Sequence, residues 1–226
     1  MAEAPLFSPP PADLAQILAP GRTALLVIDV QNDFGHPEGV MGKAGVDMST
    51  VDPAVDAAER LIARARAAGT PVVFVSLQTA KVLDSCPATL RRARMGQPYA
   101  EDRRVCRKGA WGADWYRVGP KPGEIEVHKA RYSSFQNTEL DLQLKALGID
   151  TVVVCGLTTE CCIEQAARDA FHLDYNVFVV EDACASYDPE LHRVCLRVMS
   201  AYCALIVKSA EIEQAWADGA VSAAAQ

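Results

Sequence analysis

The sequence has no hydrophobic run long enough to cross a membrane. It has no GxGxxG after its first predicted strand and no GxxxxGK(S/T) segment, so it lacks the phosphate-binding loops of dinucleotide and P-loop enzymes. Its cysteines form no CxxC pair and no Cys/His set with zinc-finger spacing. We therefore expect no membrane insertion, no nucleotide cofactor and no structural zinc site.

Charge and cysteine usage narrow the class of protein further. The 226 residues carry a net charge of −7 at pH 7, which argues against general binding to nucleic acid or to an anionic membrane. The eight cysteines are irregularly spaced, and Met1 leads into no apolar signal region. A reducing, cytoplasmic environment is the expectation.

Half of the residues are hydrophobic, which is enough for one substantial core. We expect a single domain over residues 1–226. Residues 1–20 hold five prolines and are interpreted as an N-terminal arm. The long irregular tract 79–123 is predicted to be a lid, a binding loop or an oligomer contact. Its many basic residues could attract an acidic substrate, although such a run is more often a solvated face.

Apolar runs alternate with segments of helical spacing along most of the chain, a pattern that favours a parallel sheet covered on both faces. The predicted strands are 24–28, 71–77, 124–127, 152–155, 176–180 and 204–207. The predicted helices are 52–68, 138–147, 163–171, 189–201 and 209–217.

The segment 152–164 joins a buried strand to a helix. The run from Thr158 to Glu160 offers N-cap hydroxyls and an early acidic residue. A cysteine at this junction would meet free backbone N–H groups and a helix dipole, which favour a thiolate and an oxyanion. The alternative is that Cys161 and Cys162 are ordinary buried residues.

Three polar residues each follow a different predicted strand: Asp29, Lys129 and Cys162. The carboxyl ends of parallel strands meet at one edge of a sheet, where ligand sites gather. Taken singly, Asp29 could cap a turn and Lys129 could lie on the surface. Together they predict one site.

Three segments of the chain resemble the isochorismatase-like cysteine hydrolases: Leu25–Phe34, Lys129–Phe135 and Gly156–Glu164, the last followed by Ala167–Ala170. The resemblance covers about residues 22 to 207. It implies an α/β fold, a three-layer α/β/α sandwich with a six-stranded parallel, Rossmann-like sheet. It also implies an Asp–Lys–Cys triad, which falls by position on Asp29, Lys129 and Cys162.

This resemblance implies a cysteine-dependent amidohydrolase. Cys162 would attack an amide or ureido carbonyl, form a thioester and release ammonia or carbamate. Asp29 would move the protons, and Lys129 would favour both the thiolate and the ionised Asp29. We accordingly expect a depressed pKa for Cys162. A cis peptide bond at Leu157–Thr158 and an oxyanion hole from the N–H groups of Thr158 and Cys162 are implied as well.

Departures from better-known members of the family suggest the substrate. Nicotinamidases, which look similar, carry a metal site after the second strand, but no histidine lies near the corresponding stretch here, so no metal is expected. The surroundings of Trp111 and Tyr132 most resemble the ureidoacrylate, biuret and N-carbamoyl amidohydrolases. Phe34, Gln78, Trp111 and Tyr132 are the predicted pocket walls, with a core or scaffold role as the alternative for each.

Two other functions stay open. One is isochorismatase-type hydrolysis of a vinyl ether without covalent catalysis, although members with that activity lack the nucleophilic cysteine. The other is a catalytically inactive binding protein of the same fold. The expected partner is a small amide or ureido compound. The resemblance also implies a homodimer or homotetramer.

Overall fold

Six parallel strands form the centre of the molecule, in the order β3-β2-β1-β4-β5-β6. The computed structural model describes residues 14–97 and 99–224. The strands are β1 (Thr23–Ile28), β2 (Val72–Leu77), β3 (Ile125–Lys129), β4 (Thr151–Leu157), β5 (Asn176–Ala185) and β6 (Leu205–Val207).

Helices cover both faces of this sheet. They are α1 (Leu14–Ile17), α2 (Asn32–Gly35), α3 (Val40–Lys43), α4 (Val51–Ala68), α5 (Cys86–Arg94), α6 (Leu140–Ala146), α7 (Glu164–His172), α8 (Pro189–Tyr202) and α9 (Ser209–Ala224). None of the helices within the described ranges is both long and apolar enough to span a membrane.

The strands separate two hydrophobic cores, because successive side chains of a strand point to opposite faces. On one face Leu25 and Val27 pack with α4 and α9. On the other face Leu26 and Ile28 pack with α6, α7 and α8. Strands buried on both faces explain the continuous apolar runs of the sequence. The prediction of a three-layer α/β/α fold with six parallel strands is confirmed.

The predicted end of the fifth strand is wrong by five residues, since β5 continues to Ala185. The prediction stopped before the acidic pair at 181–182, but these side chains have partners within the fold. Asp182 accepts hydrogen bonds from the backbone N–H and the hydroxyl of Ser209, both at 2.7 Å. The β4–β5 register also shifts between Val154 and Gly156, so β5 takes up extra residues there.

Gly156 allows β1 and β4 to approach closely at the edge of the sheet where the predicted site lies. Its φ is +129°, a backbone conformation that side-chain-bearing residues rarely adopt. A Cβ atom at this position would overlap the carbonyl oxygen of Ile28, its partner across the pair. The residue after Ile28 is Asp29.

The predicted N-terminal arm lies mainly outside the described residues, which begin at Leu14. Within the described part, Leu18 is fully buried, and its carbonyl accepts a hydrogen bond of 3.1 Å from the Trp216 indole of α9.

The tract 79–123 was predicted to be irregular, and this is wrong for α5. The Ser85 hydroxyl caps that helix by accepting from the Ala88 N–H, and a proline occupies its first turn. Within the tract, Arg107 pairs with Asp84 at 2.8 Å and with Glu101 at 2.7 Å.

Candidate active site

Asp29 and Lys129 form a buried ion pair at the C-terminal edge of the sheet. The Lys129 Nζ donates to Asp29 Oδ2 at 2.6 Å, and both side chains are 0 % exposed. Asp29 directly follows β1 with a φ of +53°, a left-handed conformation that aspartate tolerates better than most residues. Lys129 was expected just past its strand, but it is the last residue of β3, paired in register with Leu77 of β2. Its ammonium therefore reaches across the end of β2 to Asp29.

The Lys129 ammonium has two further acceptors. It donates to the carbonyls of Arg131 at 3.2 Å and Tyr132 at 3.0 Å. By contrast, Asp29 Oδ1 is buried and has no hydrogen-bond partner among the described residues. The two oxygens of this carboxylate thus differ: Oδ2 is bound to Lys129, and Oδ1 is available to accept a proton.

Cys162 follows β4, at the point of the sheet where the strand order reverses between β1 and β4. It lies in a π-helical turn, Thr159–Ile163, which leads into α7. The residue is only 5 % exposed. The peptide bond between Leu157 and Thr158, which opens this turn, is cis.

The predicted N-cap hydroxyl bonds are absent from this turn. The Thr158 side chain makes no cap bond, and the Thr159 hydroxyl lies 2.8 Å from the ring Nδ1 of His192. The Thr158 carbonyl instead accepts from the N–H groups of Cys161 and Ile163, each at 3.2 Å. The backbone N–H of Cys162, which lies between Cys161 and Ile163 in the chain, does not donate to this carbonyl.

Burial and the neighbouring charges act in opposite directions on the pKa values of Asp29 and Lys129. Burial raises the pKa of Asp29, although Lys129 and Cys162 oppose the rise. Burial is the largest single effect and would lower the pKa of Lys129, but the charges of Asp29 and Cys162 and the hydrogen bonds to both together outweigh it, and the pKa is raised. A carboxylate with a raised pKa is a stronger base, and the ammonium beside it keeps its proton.

The expectation of a depressed pKa for Cys162 is wrong. A hydrogen bond with the Cys161 thiol, burial and the charge of Asp29 all raise the pKa of Cys162, and Lys129 only partly offsets them. The predicted helix dipole and ammonium are therefore outweighed. The raised pKa of Cys162 favours the neutral thiol, so formation of a thiolate requires transfer of the proton to a neighbouring base.

The predicted pocket residues fall in different places. The Phe34 carbonyl accepts from the Tyr187 hydroxyl at 2.8 Å, and the Tyr132 carbonyl binds Lys129. The Trp111 side chain is 49 % exposed and stacks edge-to-face on His36 with ring centroids 5.1 Å apart. The Gln78 amide lies 3.1 Å from the His128 ring, and the Gln78 backbone N–H donates to the Lys129 carbonyl at 2.8 Å.

Gln31 and Asp33 join the loops around the site, a role that the sequence analysis missed although both lie in the first matching segment. The buried Gln31 amide bonds both the N–H and the C=O of Leu77, at 2.8 and 3.0 Å. Asp33 accepts from the N–H groups of Cys106 at 2.6 Å and Val40 at 3.1 Å. These side chains thereby tie the tract 79–123 and α3 to the end of β1.

Tyr187 is another residue that was missed. Its pKa is raised by burial and by the charges of Glu160, Cys106, Cys162 and Asp29, which places its phenol within electrostatic range of the site. The predicted strand 176–180 put the sheet edge too early to show this position. With β5 extended to Ala185, residue 187 falls beside the C-terminal edge.

A cavity of about 560 Å³ opens at the opposite edge of the sheet and includes none of these residues. It is lined by residues at the starts of β5 and β6, including Asn176 and Leu205. Across the described ranges, no three His, Cys, Asp or Glu side chains are grouped closely enough to hold a metal ion.

Comparison with known proteins decides the family. The isochorismatase domain family matches residues 23–211, which include Asp29, Lys129 and Cys162. The chain belongs to the isochorismatase family. The resemblance seen in the three sequence segments is thereby confirmed.

Individual proteins are similar to this chain over most of their own length. The ureidoacrylate amidohydrolase RutB of Methylobacterium radiotolerans is 36% identical over 88% of this chain and 81% of its own length. The crystal structure of a cysteine hydrolase from Pseudomonas syringae pv. phaseolicola has a TM-score of 0.75 and 25% identity, covering 88% of this chain and 94% of the other. N-carbamoylsarcosine amidase from Thermoplasma acidophilum has a TM-score of 0.63 and 30% identity, covering 83% and 96%.

Proposed function

We propose that this protein is a cysteine-dependent amidohydrolase that cleaves a C–N bond of a small ureido or carbamoyl compound. The observation that carries the proposal is the buried Lys129–Asp29 ion pair, whose free Oδ1 lies on the same sheet edge as Cys162. A relative named ureidoacrylate amidohydrolase and a structural neighbour named N-carbamoylsarcosine amidase support this class of substrate.

In the first half of the reaction the Cys162 thiol passes its proton to Asp29 Oδ1 as its sulfur attacks the carbonyl carbon. The raised pKa of Cys162 fits a proton transfer that accompanies attack, because the thiol is neutral beforehand, and the raised pKa of Asp29 makes its ionised carboxylate a stronger base. The carbonyl oxygen becomes an oxyanion, for which the N–H groups of Thr158 and Cys162 are the proposed donors.

The tetrahedral intermediate then collapses to a thioester. Its C–N bond breaks, and the leaving nitrogen takes the proton from Asp29. In the second half a water molecule gives a proton to Asp29 and attacks the thioester, and the departing Cys162 sulfur recovers the proton. A carbamoyl compound yields an amine and carbamate; a simple primary amide yields ammonia and a carboxylic acid.

In both halves of the proposed reaction Lys129 acts only through its positive charge. Its ammonium stabilises the ionised Asp29 and the negative charge that develops on Cys162. Phe34, Gln78, Trp111 and Tyr132 remain the proposed pocket walls, and Tyr187 joins them.

The cellular environment and the oligomeric state of the protein are also proposals. All eight cysteines are free, which supports a reducing, cytoplasmic environment. A homodimer or homotetramer is proposed from the resemblance, with the tract 79–123 as its contact or as a lid.

The test is a hydrolysis screen over ureido acids, biuret, N-carbamoyl amino acids and primary amides, on wild type, Cys162→Ala and Cys161→Ala. We expect Cys162→Ala to lose at least about 1000-fold in kcat/KM on any active compound. Cys161→Ala, the matched control, keeps the nucleophile and is expected to stay active. Mass spectrometry of quenched wild type should show the acyl or carbamoyl adduct on Cys162. Substantial turnover by Cys162→Ala would overturn the mechanism in favour of the non-covalent ether hydrolase or another chemistry.

A further inference from the structure

The loop after β3, residues 130–139, holds the Lys129 ammonium in place. It contains only bends and turns, so no strand or helix fixes the direction of its carbonyls. Two of them, those of Arg131 and Tyr132, accept from the ammonium at 3.2 and 3.0 Å. The position of the ammonium beside Asp29 therefore depends on what holds this loop.

Ser133, the residue after Tyr132, closes the loop on itself. Its hydroxyl oxygen accepts from the backbone N–H groups of Phe135 at 3.0 Å and Gln136 at 2.9 Å. Hydrogen bonds of this kind from a serine side chain fix the main chain of a turn. The peptide that joins Tyr132 to Ser133 carries one of the two carbonyls bound to Lys129, so Ser133 controls the direction of that carbonyl.

Asp169 joins this loop to the helix that follows the nucleophile. The Ser133 hydroxyl donates to Asp169 Oδ2, and the Gln165 side-chain amide donates to Asp169 Oδ1 at 3.1 Å. Asp169 lies in α7, which begins directly after the π-helical turn that contains Cys162. A continuous series of contacts thus leads from the helix of the nucleophile, through Ser133, to the ammonium.

The link between Asp169 and Ser133 is a strong one. Ser133 is 5 % exposed, and a hydroxyl that donates to a carboxylate makes one of the stronger hydrogen bonds of proteins. The Ser133 hydroxyl uses its one hydrogen on Asp169 and its two acceptor sites on the loop. Loss of either side chain would therefore free the loop next to the carbonyls that hold the ammonium.

We propose that Asp169 is a positioning residue: through Ser133 it fixes the loop carbonyls that hold Lys129, and so sets the Asp29–Lys129 pair relative to Cys162. The inference rests on the proposed amidohydrolase function. It gives two residues outside the triad a part in aligning the thiol with its base, and small errors in such alignment slow a reaction strongly.

The test measures kcat, KM and the pH profile of kcat/KM for wild type, Ser133→Ala, Asp169→Ala and the double variant, on an active compound from the hydrolysis screen. Each single change releases the loop, so kcat should fall about 10- to 100-fold, with KM within about threefold of wild type. The double variant should lose little more than the larger single loss, because both changes break the same link.

The acid limb of the pH profile reports the position of the ammonium. A displaced Lys129 stabilises the ionised Asp29 less, so the limb should move to higher pH by about half a unit in both single variants. Loss of the Asp169 negative charge alone would act in the opposite direction. The titratable groups of the described chain that interact with Asp29 stay unchanged in these variants: Cys106, Lys129, Cys161, Cys162 and Tyr187.

Three further variants serve as controls. Asp169→Asn keeps an acceptor oxygen and Ser133→Thr keeps the hydroxyl, so both should retain kcat within about threefold of wild type and an unmoved acid limb. Glu164→Gln removes a negative charge from the same helix, where Glu164 pairs with Arg168 at 2.8 Å, without touching the loop. Its acid limb should not move to higher pH. Thermal melting checks folding, and either alanine variant that folds suffices, since the two break one bond from opposite sides.

The outcomes separate this inference from the proposed function. Alanine variants that melt at lower temperature but keep the wild-type kcat and acid limb would show that the contact only stabilises the fold, and would overturn the inference, as would failure of both to fold. Losses that multiply in the double variant would overturn it too, because Asp169 would then act independently of Ser133. Turnover that survives in Cys162→Ala would instead overturn the proposed function.

Discussion

Asp29 is the residue at which burial and charge compete most directly. Burial favours its protonated form, and the ammonium of Lys129 favours the ionised form. The net result is a pKa above the ordinary value of 3.8. The competition suits a group that must hold and release a proton in each half of the proposed reaction.

We expect kcat/KM to fall as the pH drops through the raised pKa of Asp29, because only the ionised carboxylate can take the thiol proton. Lys129→Met removes a charge that lowers this pKa, so its acid limb should move to higher pH. Asp29→Asn should be nearly inactive with no acid limb from this group. A pH profile of kcat/KM on the three proteins, with thermal melting as a check on folding, measures this. An acid limb that moves to lower pH in Lys129→Met would contradict the assignment.

The candidate site residues could be named from the sequence, but their ionisation could not. Asp29, Lys129 and Cys162 lie in short motifs whose positions relative to the strands are visible in the sequence. The raised pKa of Cys162 depends on its burial and on the Cys161 thiol beside it, which only a folded arrangement shows. The absence of a hydrogen-bond partner for Glu160 Oε2 among the described residues is likewise visible only in the folded arrangement.

At the scale of elements, the strands carry the site and one glycine sets how closely they pack. β1 and β4 run side by side, and their register pairs Ile28 with Gly156. Any side chain at position 156 would push the end of β4 away from the end of β1. Asp29 and the turn that holds Cys162 follow these two ends.

We expect Gly156→Ala to destabilise the fold by about 3 kcal/mol or more, since the methyl meets backbone and the φ is unfavourable. Gly148→Ala is the matched control: its φ is +72°, but nothing lies within 4 Å of the added Cβ. That change should cost only about 1–2 kcal/mol. Urea unfolding of both variants measures the difference. Equal losses would show that the close approach of the strands is unimportant.

Element boundaries followed from the sequence only where local residue preference agreed with the packing. The core strand β1 was placed to within one residue, because every one of its positions is buried and apolar except the first. The end of β5 was missed because acidic residues continue the strand there, with Asp182 bound to Ser209 from the far end of the chain. Long-range partners of this kind leave no local pattern.

At the scale of the whole molecule, the topology gathers three distant parts of the chain at one place. The strand order is the one found in dinucleotide-binding domains, with its reversal between β1 and β4. Those domains hold a phosphate at a glycine-rich loop after β1. Here the loop after β1 begins with Asp29 and Gln31, so the same crevice holds a proton acceptor and a side chain that braces the neighbouring strand.

We expect full activity on the active ureido or amide compound after dialysis against a chelator. In the proposed chemistry the Lys129 ammonium supplies the positive charge, and Asp29 the base, for which other hydrolases use a metal ion. Hydrolysis before and after dialysis, with and without added zinc, is the measurement. Activity that disappears on dialysis and returns with zinc would contradict the proposal.

The ammonium of Lys129 has three hydrogens and three oxygen acceptors, one on Asp29 and two on the main chain at Arg131 and Tyr132. All three N–H groups are thus donated to protein oxygens, and the ammonium has no N–H left for an incoming molecule or a departing amine. Lys129 is therefore a fixed positive charge, and Asp29 alone must carry the transferred protons.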